Sequence, residues 1–158
     1  WRPKQLKITM RYKQTIIVKN NFNVVKKCFK NITLLKYLIK WQPIKLINWD
    51  GIQTGDIAHI KIWLFGWKDF KVKHEFHKED GNILYFTDFN LSLPLGLNYW
   101  KHNHIIKNKI NKVTITDDLE FKHKYKIFEF ILYIPLILPI MIRKITYKTY
   151  FNKINKID

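Results

Sequence analysis

Between Leu97 and Phe121 the chain reads LNYWKHNHIIKNKINKVTITDDLEF, two alternating runs joined by a polar turn. Successive side chains of a strand point to opposite faces. Trp100, His102, His104 and Ile106 therefore share one face of the first run, with Tyr99, Lys101, Asn103 and Lys107 on the other. In the second run Val113, Ile115, Asp117, Leu119 and Phe121 share a face, opposed by Lys112, Thr114, Thr116, Asp118 and Glu120. Asn108 to Asn111 has the composition of a turn. Symmetric closure with Asn108 opposite Asn111 sets Ile106 beside Val113, His104 beside Ile115, His102 beside Asp117 and Trp100 beside Leu119. Every inward residue then meets an inward residue, and a slip of one position would turn an apolar row to solvent. The expectation is an antiparallel hairpin carrying an imidazole opposite a carboxylate on an apolar face.

The rest of the chain supplies elements in an order that suits this hairpin. Ile8 to Val18 alternates as a strand, and Asn21 offers an N-cap for two short helices, Phe22 to Phe29 and Ile32 to Ile39. Trp41 to Trp49 resumes a strand that ends at Asp50-Gly51. From Ile57 to Leu64 the inward positions are Ala58, Ile60, Ile62 and Leu64, and from Phe70 to Phe76 they are Phe70, Val72, His74 and Phe76. Asp80-Gly81-Asn82 marks a turn, and Ile83 to Leu93 is a further strand leading through Pro94-Leu95-Gly96 into the hairpin. Consecutive strands without crossover segments require an antiparallel sheet. Ile127 to Asn155 is the segment long enough to cover its concave face. Its first part is apolar all round, but Ile127 to Ile142 falls short of the about 20 residues a membrane span needs and contains Glu129, Pro135 and Pro139. Because proline is tolerated in a first helical turn and not in the middle, the helix is expected to start near Pro135 or Pro139 and to run to Lys153.

The W-x-H-x-H strand (Trp100, His102, His104), Asp117 in the next strand and the earlier Phe86-Thr87-Asp88 resemble the bacterial ligand-binding SRPBCC proteins, a branch of the START-like superfamily that includes polyketide cyclases. The likeness runs in order from about residue 8 to residue 155, with Gly55 and Trp67 at fitting positions. It implies an α+β helix-grip (START-like) fold: a curved antiparallel sheet of about seven strands wrapped on a long C-terminal helix, with two short helices after the first strand. It also implies a hydrophobic small molecule or lipid as ligand.

At 158 residues the chain fits one domain spanning residues 1–158, large enough to bury a real core. The single cysteine, Cys28, excludes an internal disulfide and suits a reducing cytosol, and no secretory leader is visible near the start. In its helical surroundings Cys28 reads as a structural thiol. A net charge of +17 invites a nucleic-acid or anionic-membrane reading. Yet only Arg2, Arg11 and Arg143 are arginines, and arginine is what bidentate phosphate and base contacts favour. Abundant Lys, Ile, Asn, Phe and Tyr beside a single alanine, Ala58, is what an AT-rich genome writes, so dispersed lysines read first as a solvated surface.

The candidate ligand pocket comprises His74, Phe76, Trp100, His102, His104, Asp117, Leu119 and Ile142, polar groups converging on an apolar surface. His102 and Asp117 satisfy each other's hydrogen bonds in this reading, whether or not a ligand uses them. No catalytic residue, cofactor or metal is assigned. The His102/His104 spacing suits metal ligation on a strand, but neither Cys nor Glu joins it. The only serine, Ser92, lies in no nucleophile elbow, and the glycines form no phosphate loop. The expected function is non-catalytic binding of a hydrophobic molecule in the cytoplasm. The alternatives are a basic module on RNA or an anionic membrane, and a cyclase or dehydratase using His102 with Asp117 as its orienter.

Overall fold

The computed structural model describes residues 9–156. In chain order the elements are β1 (Met10–Val18), α1 (Phe22–Phe29), α2 (Ile32–Ile39), β2 (Ile44–Trp49), β3 (Ile57–Trp63), β4 (Trp67–Glu79), β5 (Ile83–Ser92), β6 (Leu97–Lys109), β7 (Lys112–His123) and α3 (Lys126–Ile154). The strands form one curved seven-stranded sheet in the order β1-β7-β6-β5-β4-β3-β2, every pair antiparallel. With α3 packed against the sheet, this is the helix-grip architecture. The two short helices begin where their caps require, since Asn21 accepts from the Asn23 backbone N–H and Asn31 from that of Thr33, both at 2.8 Å. Ile8, with which the sequence reading begins the first strand, lies outside the described residues.

The hairpin forms with its inward and outward faces as read, but its register differs by two. Lys109 pairs with Lys112 around a turn of only Ile110 and Asn111. His104 therefore lies opposite Asp117, His102 opposite Leu119, and Trp100 opposite Phe121. Asn111 takes a left-handed backbone (φ 58°), which asparagine adopts at little cost, and this permits the tighter turn. A displacement of two residues keeps every side chain on its face, so alternation alone does not distinguish the two registers.

The helix also departs from expectation. α3 starts at Lys126 and runs straight through Pro135 and Pro139. Each proline removes one N–H from the ladder. Two carboxamides tie the same stretch of helix to its neighbours: Gln14 Nε2 donates to the Ile140 carbonyl at 2.6 Å and Gln42 Nε2 reaches the Pro139 carbonyl at 3.5 Å. Burial of Leu132, Leu136, Ile137 and Ile140 supplies the apolar contact that holds the segment helical. Among the described residues no helix is long and apolar enough to cross a membrane.

Two apolar clusters fill the space under the sheet. One joins Val25, Phe29, Leu34 and Leu38 of the short helices to Phe86, Ile106, Ile115, Tyr147 and Phe151. The other joins Phe70, Val72, Trp100, Leu119 and Phe121 to Leu132, Leu136, Ile137 and Ile140. Half-buried Cys28 packs against the first, and burial raises its pKa, as a structural thiol requires.

Candidate functional site

A row of polar side chains crosses the concave face between these two clusters. Counting inward positions only, it takes the one between Tyr12 and Ile16 along β1, the one between Ile115 and Leu119 along β7, the next after Phe86 along β5 and the next after Val72 along β4. The row is Gln14, Asp117, His104 and His102, Asp88 and His74, carried on five strands by the pairings Gln14 to Asp117 to His104 and His102 to Asp88 to His74. Arg143 descends onto it from α3. All seven are withdrawn from solvent, and Asp117 is fully buried.

Each carboxylate is held by several partners. Asp117 Oδ1 accepts from His102 Nε2 at 3.0 Å and from Arg143 Nη1 at 3.2 Å, and His104 Nδ1 lies 3.4 Å from it. Its Oδ2 accepts from Gln14 Nε2 at 3.3 Å. On the far side of the histidines, Asp88 Oδ2 bonds His104 Nε2 at 2.8 Å and faces His102 Nδ1 at 3.7 Å. His74 Nδ1 comes within 2.7 Å of Asp88 Oδ1, although the angle is poor for a hydrogen bond. The rings pack closely: His102 and His104 are 4.0 Å apart at their centroids with their planes tilted by 43°, and Phe86 lies flat on His104 at 4.4 Å. The Tyr147 hydroxyl has no hydrogen-bond partner among the described residues, and burial pushes its pKa up.

These contacts set the charges. Burial alone would raise the pKa of both carboxylates. For Asp88 the interactions with His104 and His74 more than cancel it, and for Asp117 Arg143 and the bonds from His102 and His104 do so, leaving both well below the usual range. Burial and the neighbouring charge of His104 bring His102 down to about 4 despite its bond to Asp117. His104 moves the other way: burial opposes its charge, but the field of Asp88 and its contacts with Asp117 and Asp88 raise its pKa. At neutral pH the belt thus sets two ionised carboxylates against Arg143 and against His104, whose charged form they favour, around a neutral His102. Ionised Asp117 can only accept, so the His102 proton sits on Nε2 and its Nδ1 presents a lone pair.

Two small chambers open against the belt. One, of about 80 Å³, is walled by Phe29, Leu34, Trp49, His74, Asp88 and Tyr147 among others. The second, of about 110 Å³, is walled chiefly by apolar side chains including Ile60, Phe70, Trp100 and Leu136, with His102 and Asp88 at its polar end. The two share Leu35, Ala58, Asp88 and Arg143.

Of the residues singled out from sequence, His74, His102, His104 and Asp117 meet in the belt and Trp100 walls the larger chamber. The other three lie elsewhere. Phe76 is 63% exposed, because β4 bulges between Glu75 and Lys78 and Phe76 turns to a positive φ of 53°, which breaks the alternation. Leu119 is packed solid in the second apolar cluster, and Ile142 lines a separate outer groove with Trp41 and Trp63. Asp88, Gln14, Arg143 and Tyr147 were missed as site residues. Asp88 follows Leu84 and Phe86 at the inward period of β5, and Arg143 falls on the stripe of Ile140 and Tyr147, so both were legible in the pattern.

No protein-family model matches the chain, and no curated protein matches it. Solved structures do. A norcoclaurine synthase point mutant of Thalictrum flavum, in complex with a transition-state analogue, superposes with a TM-score of 0.67 at 14% identity, over 94% of this chain and 97% of its own. KanY superposes with a TM-score of 0.65 at 10% identity, over 91% and 98%. Major latex-like protein 151 of Panax ginseng gives 0.57 at 12% identity, over 88% and 96%. At such identities the likeness is one of fold, and the fold these proteins share with this chain is the helix-grip.

Proposed function

We propose that this protein binds a small, largely hydrophobic molecule between the sheet and α3. The body of the molecule occupies the apolar chamber, and a polar end meets the histidine-carboxylate belt. The observation that carries this reading is the convergence of both chambers on Asp88 and Arg143, largely enclosed polar groups at the end of an apolar space. The chambers are on the scale of a single aromatic ring, since a dry cavity of about 150 Å³ holds benzene. A long-chain lipid would require α2 and α3 to separate, so a compact aromatic molecule is the favoured class. Norcoclaurine synthase of Thalictrum flavum, which shares the fold, is solved with dopamine and hydroxybenzaldehyde, molecules of that class. The reading of His102 as catalytic base is less well supported, because a ring held at about 4 has little affinity for a proton at neutral pH.

The test is native mass spectrometry of the purified protein together with NMR titration of phenol and benzoate fragments. Ala58 lies in both chamber walls, so Ala58→Phe fills them from a half-buried position. The folded variant should lose fragment binding by at least about tenfold. Equal binding by Ala58→Phe, or fragment shifts remote from the chambers, refutes the assignment.

A second reading, contact with an anionic membrane, has its own observation. The outer face of α3 exposes Ile127, Phe130, Ile131, Ile134, Leu138, Met141 and Ile145 in one helical stripe. Trp41, Trp67 and Tyr125 are also exposed, and lysines lie over them: Lys40 at 5.2 Å, Lys45 at 4.0 Å and Lys124 at 5.4 Å. Aromatic groups beside lysines and an apolar stripe suit an interfacial site. RNA is less favoured, because Arg11 is spent on both oxygens of Asp118 and Arg143 on Asp117. Co-sedimentation with phosphatidylserine vesicles, weakened by Ile134→Ser and absent with phosphatidylcholine alone, tests it.

A further inference from the structure

The polar belt contains a contact that protein groups alone leave poorly matched. With the His102 proton directed to Asp117, His102 Nδ1 turns a lone pair toward Asp88 Oδ2 at 3.7 Å, so two acceptors face each other. His104 Nε2 points at the same oxygen from 2.8 Å. The three ligand atoms lie within 4.8 Å of one another. Donors around one divalent ion, each about 2.0–2.2 Å from it, sit about 3 to 3.5 Å apart, so sub-ångström side-chain adjustment brings these three onto a common centre.

We propose that Asp88 Oδ2, His102 Nδ1 and His104 Nε2 form a binding site for a divalent first-row transition metal such as zinc. The surrounding groups are those a metal site needs. Asp117 faces the remote nitrogens of both histidines, His102 Nε2 at 3.0 Å and His104 Nδ1 at 3.4 Å, which directs the other nitrogens toward Asp88. His74 stands 2.7 Å from the second oxygen of Asp88, leaving Oδ2 to the ion. Asp117 is itself fixed by Gln14 and Arg143. Two imidazoles and a carboxylate without thiolate suit Zn²⁺, Fe²⁺, Co²⁺ or Mn²⁺. Three protein ligands leave positions open toward the chambers, since Asp88 is in both walls, His102 in the larger and His104 in the smaller. There a carbonyl, phenolate or carboxylate oxygen of a bound molecule completes the coordination. That last step rests on the ligand reading above, whereas metal binding does not.

The experiment uses metal alone, so its outcome is independent of any organic ligand. Protein freed of metal with chelator is titrated with Zn²⁺ by calorimetry and with Co²⁺ by visible absorption. One ion per chain should bind at micromolar affinity or tighter. Asp88→Asn and His104→Gln should each weaken binding about 100-fold or more, and Asp117→Asn by about 10- to 100-fold with the stoichiometry unchanged. In the unaltered protein, Co²⁺ should shift the ring protons of His102 and His104, a readout that needs no variant to fold. Absence of stoichiometric binding overturns the proposal. So does a Co²⁺ shift confined to the surface pairs His59/Asp69 or His77/Glu79.

Discussion

Lowering the pH from 6.5 to 4 should remove about 3 kcal/mol of stability through one side chain, His102. Its pKa is about 4 in the folded protein and 6.5 unfolded. In that window the unfolded chain binds a proton that the folded chain refuses, so stability falls as the solution is acidified. At about 1.4 kcal/mol for each pH unit the difference amounts to about 3 kcal/mol, a large part of a typical domain's stability. The neighbours do not mask it. His104 has a raised pKa, so its contribution is fully present below 6.5 and is lost only as pH rises through its folded value. Asp88 and Asp117, held well below 3.8, contribute above that value and lose their share in more acid solution. Urea unfolding followed by tryptophan fluorescence between pH 7 and 4, on wild type and His102→Gln, isolates the effect. The fall should be steep in wild type and nearly absent in the variant, and an NMR titration should find the ring of His102 neutral down to about pH 4. Equal slopes in the two proteins, or a His102 pKa near 6.5, would refute the neutral state assigned to His102 and the burial argument behind it.

Arg143→Met should destabilise the fold by about 3 kcal/mol at neutral pH, because it strips a buried carboxylate of its cation while keeping much of the volume; denaturant midpoints measure it. Along α3, Ile140→Asp should be severe, several kcal/mol, since Ile140 is 4% exposed, while Ile145→Asp should be almost silent because Ile145 is 68% exposed. Paired thermal melts on the two variants check the orientation of the helix. Gly96→Ala should cost about 1 to 2 kcal/mol, as Gly96 holds a φ of +77° and a Cβ there would meet His123 Nε2 at 2.8 Å; a neutral result would mean the loop before β6 relaxes freely.

Alternation along Leu97 to Phe121 was enough to settle which side chains of β6 and β7 face inward, because the period of two is a property of any strand and half-burial imposes it on the sequence. The cap at Asn21 likewise marked locally where the two short helices begin, and the structure adds a second cap at Asn31. The offset of the hairpin was not local information: parity is indifferent to a shift of two, and whether Asn111 turns left-handed depends on the pairing that follows. Phe76 and α3 teach the same lesson from opposite sides. A bulge opposite Thr87 and Tyr85 turned out a side chain that alternation placed inside. Packing of Leu136, Ile137 and Ile140 on the sheet kept helical a proline-bearing segment that local rules would end. The belt shows the division most clearly. The sequence by itself put His74, His102, His104 and Asp117 on inward faces, and Asp88 and Arg143 lay on the same periods. Only the tertiary structure brought four strands and a helix, some separated by more than fifty residues, to one point where burial and opposed charges make His102 neutral, His104 basic and both aspartates ionised.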